Sequence, residues 1–181
     1  MYIQLKRIRE HRLLFYSREI WGGNTLEIFL SILIVIVDQF AKSAATKYLM
    51  GQRPVEIIKN FVELHYVKNY GAAFGILQNQ RWFFIIITSV VIIAMMIYML
   101  KNNNKLTLLS RLSISMLSGG AVGNLIDRIR LGFVVDFIKL DIKIYNFPVF
   151  NIADMFIVFG TGLLVYTVLF DKLEKKAADI A

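Results

Sequence analysis

Four long apolar runs are the feature that most constrains what this chain can fold into. They cover about residues 26–49, 82–100, 106–126 and 150–170, and a helix of roughly 20 apolar residues spans the hydrocarbon core of a bilayer. Hydrophobic residues make up 57% of the chain and the mean hydropathy is +0.58, which is too apolar for an ordinary soluble domain. The runs therefore predict a membrane protein with four transmembrane helices.

The runs also predict the domain organisation. Residues 1–24 form a basic tail, 25–171 a four-helix membrane domain and 172–181 a short charged tail. We expect no cleavable signal peptide, because the first apolar run begins late and no small-residue cleavage site follows it. The basic tail favours a cytoplasmic N-terminus, and four spans then place both termini in the cytoplasm. A solvated tail is favoured over an interfacial amphipathic segment.

The charge and the missing cysteines exclude several classes of function. The net charge is +8, but the basic residues lie in tails and short loops, where they indicate anionic lipid and topology rather than nucleic acid. The chain has no cysteine, which excludes disulfides, thiol catalysis and cysteine-ligated metals. His11 and His65 lie in unrelated segments without metal-ligand spacing, so no metal or cofactor is expected.

The segment between the first two runs, residues 50–81, is too polar to cross a membrane. Within it, residues 61–68 alternate between apolar and polar side chains, which predicts a strand, and residues 55–59 are a candidate partner strand. The predicted fold is thus an α-helical polytopic membrane protein with a small extracytoplasmic β-containing segment between helices 1 and 2.

Two carboxylates among apolar residues are the strongest functional signal. Asp136 and Asp154 each lie at the outer end of an apolar segment, where an ionisable group is expensive and usually has a partner or a task. Two carboxylates that share a low-dielectric site do not both ionise easily, so one of them keeps a proton. Such a pair can act as an acid and a base toward a water molecule.

Other polar residues in the runs have structural interpretations. Asp38 and Lys42 are four residues apart on one helical face, so a neutralised structural pair is favoured over a direct part in chemistry. Asp127 and Arg128 could likewise form a charge pair at a helix end. Gly119 and Gly123 form a small-xxx-small pattern, which predicts close packing against another helix.

Five motifs in this order resemble the lipoprotein signal peptidases (signal peptidase II) of bacteria. They are VDQFAK at 37–42, NYGAAFG at 69–75, GGAVGNLIDR at 119–128, GFVVDFI at 132–138 and FNIAD at 150–154. The resemblance implies a four-helix aspartyl protease of the bacterial inner membrane, with its active site near the outer surface. It implies removal of signal peptides from prolipoproteins, with cleavage before a diacylglyceryl-modified cysteine.

The resemblance also implies roles for individual residues. Asp136 and Asp154 match the catalytic pair, and Asp38, Lys42 and Asp127 match supporting positions. Substrate or inhibitor binding is implied for Asn69, Gly71, Asn124, Arg128 and Asn151. The implied partners are prolipoproteins, membrane lipid and globomycin-type inhibitors, and the implied protein is a monomer. The chain departs from the family in its longer N-terminal tail and in Met155, where a small hydroxylic residue is common.

Two other classes remain open from the residues alone. A small transporter or proton channel would use buried acids to relay ions, but its acids would be spread through the depth of several spans, whereas these collect at one end apart from Asp38. A membrane scaffold would use the polar residues only to join helices. A scaffold predicts that single Asp→Asn changes lower stability and leave activity unaffected.

Overall fold

A computed structural model describes residues 25–72, 76–142 and 145–175 of the chain, with no side chains described at 142, 145 and 146. In these ranges the helices are α1 (Thr25–Leu49), α2 (Arg81–Asn102), α3 (Leu108–Arg130) and α4 (Ile152–Leu169). The strands are β1 (Val55–Ile58), β2 (Val62–Asn69), β3 (Val134–Ile142) and β4 (Tyr145–Asn146). The predicted tail 1–24, the last residues of the predicted tail 172–181 and part of NYGAAFG lie outside the described residues.

Three of the helices in the described ranges, α1, α2 and α4, are long and apolar enough to cross a membrane. Their outward side chains are exposed, including Phe40 at 77%, Val158 at 68% and Leu169 at 71%, as expected for a surface that contacts lipid. The predicted span at 106–126 corresponds to α3, which does not meet the same criterion. Its buried residues are mainly serines and glycines, together with Ile114, Asn124 and Asp127, and this composition lowers its hydropathy.

Helix α3 lies between α1 and α4 and contacts both through glycines. A Cβ atom on Gly119 would lie 3.0 Å from the Ile34 Cβ and the Ser31 carbonyl oxygen of α1. On the other side of α3, a Cβ on Gly120 would lie 2.5 Å from the Ala153 carbonyl oxygen of α4. The predicted close packing of this helix is confirmed, because glycine is the side chain that lets the backbones approach this far.

The strands form one antiparallel sheet in the order β1-β2-β3-β4. The predicted strand at 61–68 and its partner at 55–59 are confirmed as β2 and β1. The sheet is larger than predicted, however, because β3 and β4 come from the segment between α3 and α4. The register sets Asn69 opposite Val134, and a pairing between such distant segments leaves no signal in local periodicity.

At the end of the bundle distant from the sheet, residues that follow α4 hydrogen-bond to the connection between α2 and α3. Thr107 donates its backbone N–H to the Leu173 carbonyl oxygen at 3.1 Å, and Lys175 donates to the Lys105 carbonyl oxygen at 2.6 Å. Nearby, the buried Glu27 of α1 forms an ion pair with Arg111 of α3, with 3.3 Å between Oε1 and Nε. These contacts fix the ends of all four described helices that are distant from the sheet.

Candidate active site

Strand β3 places Asp136 beside the start of α4. Phe137 and Ile138 both donate their backbone N–H groups to the Phe150 carbonyl oxygen, at 3.0 and 2.8 Å. Phe150 returns a bond from its own N–H to the Ile138 carbonyl oxygen at 2.9 Å. Since Phe150 immediately precedes the N-cap of α4, these bonds tie the strand that carries Asp136 to the helix that carries Asp154.

Asp154 belongs to a capping box at the N-terminus of α4. Asn151 is the N-cap, and its Oδ1 accepts the backbone N–H of Asp154 at 2.9 Å. In return, the Asp154 Oδ2 accepts the backbone N–H of Asn151 at 3.2 Å. The reciprocal bonds satisfy two backbone donors of the first turn, and they fix the Asp154 carboxylate at the helix end.

Three asparagine amides donate to the two carboxylates. Asn69 Nδ2 lies 2.8 Å from Asp136 Oδ2, and Asn151 Nδ2 lies 2.7 Å from Asp136 Oδ1. Asn124 Nδ2 lies 2.8 Å from Asp154 Oδ1. Both oxygens of each carboxylate thus accept an N–H bond, because Asp154 Oδ2 already accepts the backbone of Asn151.

The orientation of these amides follows from groups that can only donate. Gly71 donates its backbone N–H to Asn69 Oδ1 at 3.0 Å, and Asp154 donates to Asn151 Oδ1. Lys42 donates its ammonium to Asn124 Oδ1 at 2.8 Å. Because each amide oxygen faces an obligate donor, each amide NH₂ must face a carboxylate.

Lys42 is the centre of a second, deeper cluster. Its ammonium lies 2.9 Å from Asp38 Oδ2 and 3.1 Å from Asp127 Oδ2, and all three side chains are 4% exposed or less. The carboxylate oxygens that do not contact Lys42 accept other hydrogen bonds. Asp38 Oδ1 accepts the Ala153 backbone N–H of α4 at 2.9 Å, and Asp127 Oδ1 accepts a bond from Gln39 Nε2 at 2.9 Å. The Val135 backbone N–H donates to Asp127 Oδ2 at 3.0 Å. The cluster therefore links α1, α3, α4 and β3.

The environment of Asp136 favours its protonated form. Its side chain is buried, with 1% of its surface exposed. Burial, with a further contribution from the negative charge of Asp154, raises the pKa of Asp136 to about 7, against the opposing hydrogen bonds of Asn69 and Asn151. A carboxyl group that titrates near neutral pH beside a second carboxyl group is suited to general acid–base chemistry.

A cavity of about 580 Å³ opens at this site. The polar side chains on its wall are those of Asn69, Asn124, Arg128, Asp136 and Asp154. The rest of the wall is mainly apolar and is formed by Val134, Leu140, Phe147, Pro148, Val149, Phe150, Met155, Ile157, Val158 and Phe159, together with Gly71 and Ala72. The cavity can therefore accommodate an apolar chain next to a peptide bond that faces the carboxylates.

Arg128 fixes the segment that covers one side of the cavity. Its Nη2 donates to the Gly71 carbonyl oxygen at 3.0 Å, and its guanidinium lies 4.7 Å from the centre of the Phe84 ring. Arg81, at the start of α2, donates to the carbonyl oxygens of Arg128 and Ile129 at 2.8 and 2.7 Å. Arg128 thus connects α3 to Gly71, which follows β2, and Arg81 connects the start of α2 to the end of α3.

The structure brings the sequence-predicted site residues into one network. Asp38 and Lys42 form the expected pair, while Asp127 pairs with Lys42 rather than with Arg128. Sequence reasoning assigned no role to Gln39 or Arg81. Gln39 is adjacent to Asp38 in VDQFAK, which was a usable signal; nothing in the local sequence around Arg81 indicates that it caps α3.

This network also bears on the alternative of a transporter or proton channel. Asp38 is the acid that stood apart in the sequence, and the structure joins it to the others through Lys42. The acids of the network are therefore gathered around one site rather than spread along a path through the bundle, which disfavours the ion-relay alternative.

Known proteins similar to this chain have a consistent description. The family described as "Signal peptidase (SPase) II" matches residues 30–170. A lipoprotein signal peptidase of Caldanaerobacter subterraneus subsp. tengcongensis is 49% identical over 145 residues, covering 80% of this chain and 97% of the relative. A lipoprotein signal peptidase of Clostridioides difficile is 44% identical over 145 residues, covering 80% and 95%.

Two solved structures share the fold. One is described as "Bacterial membrane enzyme structure by the in meso method at 2.3 A resolution"; it has a TM-score of 0.73 at 36% identity and covers 81% of this chain and 89% of its own. Another, described in the same words at 1.9 Å resolution, has a TM-score of 0.72 at 36% identity, with coverages of 80% and 93%.

Proposed function

Because this chain belongs to the signal peptidase II family and is thus an aspartic peptidase that removes signal peptides from prolipoproteins, we propose that Asp136 and Asp154 are its catalytic pair. The observation that carries this proposal is the position of the two carboxylates on the wall of one cavity, each hydrogen-bonded through both oxygens. Such bonds fix both carboxyl groups in place before a substrate arrives.

The proposed reaction is hydrolysis by a water molecule between the two carboxyl groups. The ionised carboxylate takes a proton from the water as its oxygen attacks the carbonyl carbon of the scissile peptide bond. The protonated carboxyl donates a hydrogen bond to the carbonyl oxygen and stabilises the negative charge that develops there. The proton taken from water is then delivered to the leaving amine, and both carboxyl groups return to their starting states.

The cavity wall supports a lipid-bearing substrate. Val158 and Phe159 line the cavity and are also 68% and 63% exposed on the outer face of α4, so the cavity opens toward the apolar surface of the bundle. We propose that a diacylglyceryl-modified cysteine reaches the site through this opening, with cleavage on its N-terminal side. The amides of Asn69 and Asn124 and the guanidinium of Arg128 bind the peptide or a globomycin-type inhibitor. Gly71 contributes its backbone at the same wall.

We further propose that the protein is a monomer in the bacterial inner membrane and that α3 is its fourth span. Because α3 packs between α1 and α4, it does not need a lipid-facing apolar surface on every side. Both termini are then cytoplasmic, and the sheet and the carboxylate pair lie at the outer surface of the membrane. The basic N-terminal segment supports this orientation.

The test uses Asp136→Asn and Asp154→Asn in purified protein with a diacylglyceryl-modified prolipoprotein in micelles. The amide keeps the size of the side chain and most of its hydrogen-bonding capacity but cannot exchange the proton. Each change should therefore reduce cleavage by about 10²–10⁴-fold or more. Globomycin binding should stay near wild type and the melting temperature of neither variant should fall below that of wild type, which shows that the fold survives.

Asp141→Asn is the matched control, because Asp141 is an exposed acid of β3 that lies outside every motif; its activity should be near wild type. Wild-type cleavage by a well-folded Asp136→Asn or Asp154→Asn variant would remove that residue from the catalytic pair. Loss of stability with retained turnover would instead support the scaffold alternative.

A further inference from the structure

Lys42 contacts neither carboxylate of the proposed pair, but a single amide separates its ammonium from Asp154. Lys42 Nζ lies 2.8 Å from Asn124 Oδ1, and Asn124 Nδ2 lies 2.8 Å from Asp154 Oδ1. The buried Asn124 side chain is therefore polarised by a cation at its oxygen and donates to a carboxylate at its nitrogen. A charge at one end of such a chain strengthens the bond at the other end.

From this geometry we propose that Lys42 is a positioning residue. By orienting the amide of Asn124, it keeps Asp154 as the ionised base of the pair, an inference that rests on the proposed function. An ammonium cannot accept a hydrogen bond, so Asn124 must turn its oxygen to Lys42 and its NH₂ to Asp154. Asn151 Nδ2, at 3.2 Å from the same Asn124 oxygen, supports this orientation but also donates to Asp136.

The position of Asp154 in the fold agrees with this assignment. Its carboxylate lies in the first turn of α4, and its Oδ2 accepts the N-cap backbone N–H, where the helix dipole stabilises a negative charge. Asp136 lies on strand β3 and contacts the start of α4 through the side-chain amide of the N-cap Asn151, not through a backbone N–H of the helix. The pKa of Asp136, raised to about 7 mainly by burial, is consistent with a carboxyl group that holds the shared proton at neutral pH.

Several charged groups surround Asp154 and must be considered together. Asp136 faces it from β3 and Arg128 from α3. Asp38 and Lys42 face it from α1, and Asp127 of α3 is paired with Lys42. The cluster of Lys42, Asp38 and Asp127 carries a net charge of −1 from one cation and two anions, so a test of Lys42 must keep that charge constant.

The double variant Lys42→Met with Asp127→Asn meets this condition, because it removes one positive and one negative charge. It removes the donor to Asn124 and leaves Asp38 bonded to the Ala153 backbone. We expect kcat to fall about 10–100-fold, as when a partner that orients a functional ligand is lost, with KM within about 2-fold. The acidic limb of the pH–kcat profile should move to higher pH by about one unit, a 10-fold change in proton affinity.

The conservative double variant Lys42→Gln with Asp127→Asn has the same net charge and restores an N–H donor toward Asn124. It should return the acidic limb most of the way to its wild-type position. Glu27→Gln is the matched control, because Glu27 is another buried acid of α1 with an ion-pair partner on α3. Its profile should match wild type, and a shifted limb in this control would overturn the proposal.

A folded Lys42→Met/Asp127→Asn variant with wild-type kcat and a wild-type pH profile would also overturn it, and would leave Lys42 as a counterion only. If that variant does not fold, Asn124→Leu tests the same link with the ion pairs of Lys42 intact, and an unshifted limb there rejects the proposal. These outcomes are distinct from failure of the catalytic assignment, in which Asp154→Asn itself would cleave at the wild-type rate.

Discussion

Asp136 couples the stability of the folded protein to pH. In the unfolded chain this carboxyl group releases its proton near its ordinary pKa of 3.8, whereas burial beside Asp154 raises the pKa in the fold to about 7. Between these values the folded state holds more protons than the unfolded state, so stability falls as pH rises. The loss from this one group is up to about 1.4 kcal/mol per pH unit within the window and ends above about pH 7.

Thermal unfolding in detergent at pH 5 and pH 8 measures this effect. The wild-type melting temperature should be lower at pH 8, and Asp136→Asn should show a smaller decrease because its amide does not titrate. Asp141→Asn should keep the wild-type decrease, since its carboxyl group is exposed. Equal decreases in wild type and Asp136→Asn would show that Asp136 is not the group responsible.

The sequence predicted which residues form the site better than it predicted what each one contacts. The two aspartates and three asparagines were identified because they lie in recognisable motifs among apolar residues. The direction of each amide was not predictable, because it depends on donors as remote as Lys42, 82 positions from Asn124. The role of Arg81 was not predictable either, because it donates to backbone carbonyl oxygens of α3. Every residue has a backbone carbonyl group, so the sequence does not show which residue is the partner.

Among the described helices, the packing of α3 depends most on glycine, because its neighbours occupy the space that a side chain would need. Gly119→Leu should push α3 away from Ile34 and Ser31, and Gly123→Leu would place its Cβ 2.6 Å from Asp38 Oδ2. Each change should lower the free energy of unfolding by about 1–3 kcal/mol or more through overpacking. Thermal unfolding in detergent measures the loss.

Gly162→Leu is the matched control, because a Cβ at Gly162 of α4 meets no atom within 4 Å among the described residues. Its stability should be close to wild type. Normal stability of both α3 variants would show that these glycines do not set the distance between helices.

At the scale of elements, periodicity predicted β1 and β2 because their side chains alternate between two environments. It did not predict β3, since GFVVDFI is apolar on both faces apart from Asp136, and Val134, Val135 and Phe137 are all buried. A continuous apolar run does not distinguish a buried strand from other buried segments. The predicted sheet therefore lacked β3, the strand that carries Asp136.

For the whole molecule, the proposed orientation can be tested with topology reporters. Fusions at Gly51 and Leu140 should report the outer side of the membrane, because these positions lie next to or within the sheet at one end of the bundle. A fusion at Asn103, in the connection between α2 and α3, should report the cytoplasm. An extracytoplasmic signal at Asn103 would contradict the orientation, and signals from the same side at Asn103 and Leu140 would contradict the assignment of α3 as a span.

The placement of Lys42 within α1 also bears on how the protein is made. Asp38 and Lys42 lie on the same helix, whereas Asp127 is synthesised nearly ninety residues later. During translation α1 thus carries its own counterion, so it can leave the translocon for the bilayer as a neutral unit before α3 and α4 are made. The second anion and the α4 backbone N–H that bonds Asp38 arrive only when the bundle assembles, so the nascent chain becomes a peptidase only after α4 has been inserted.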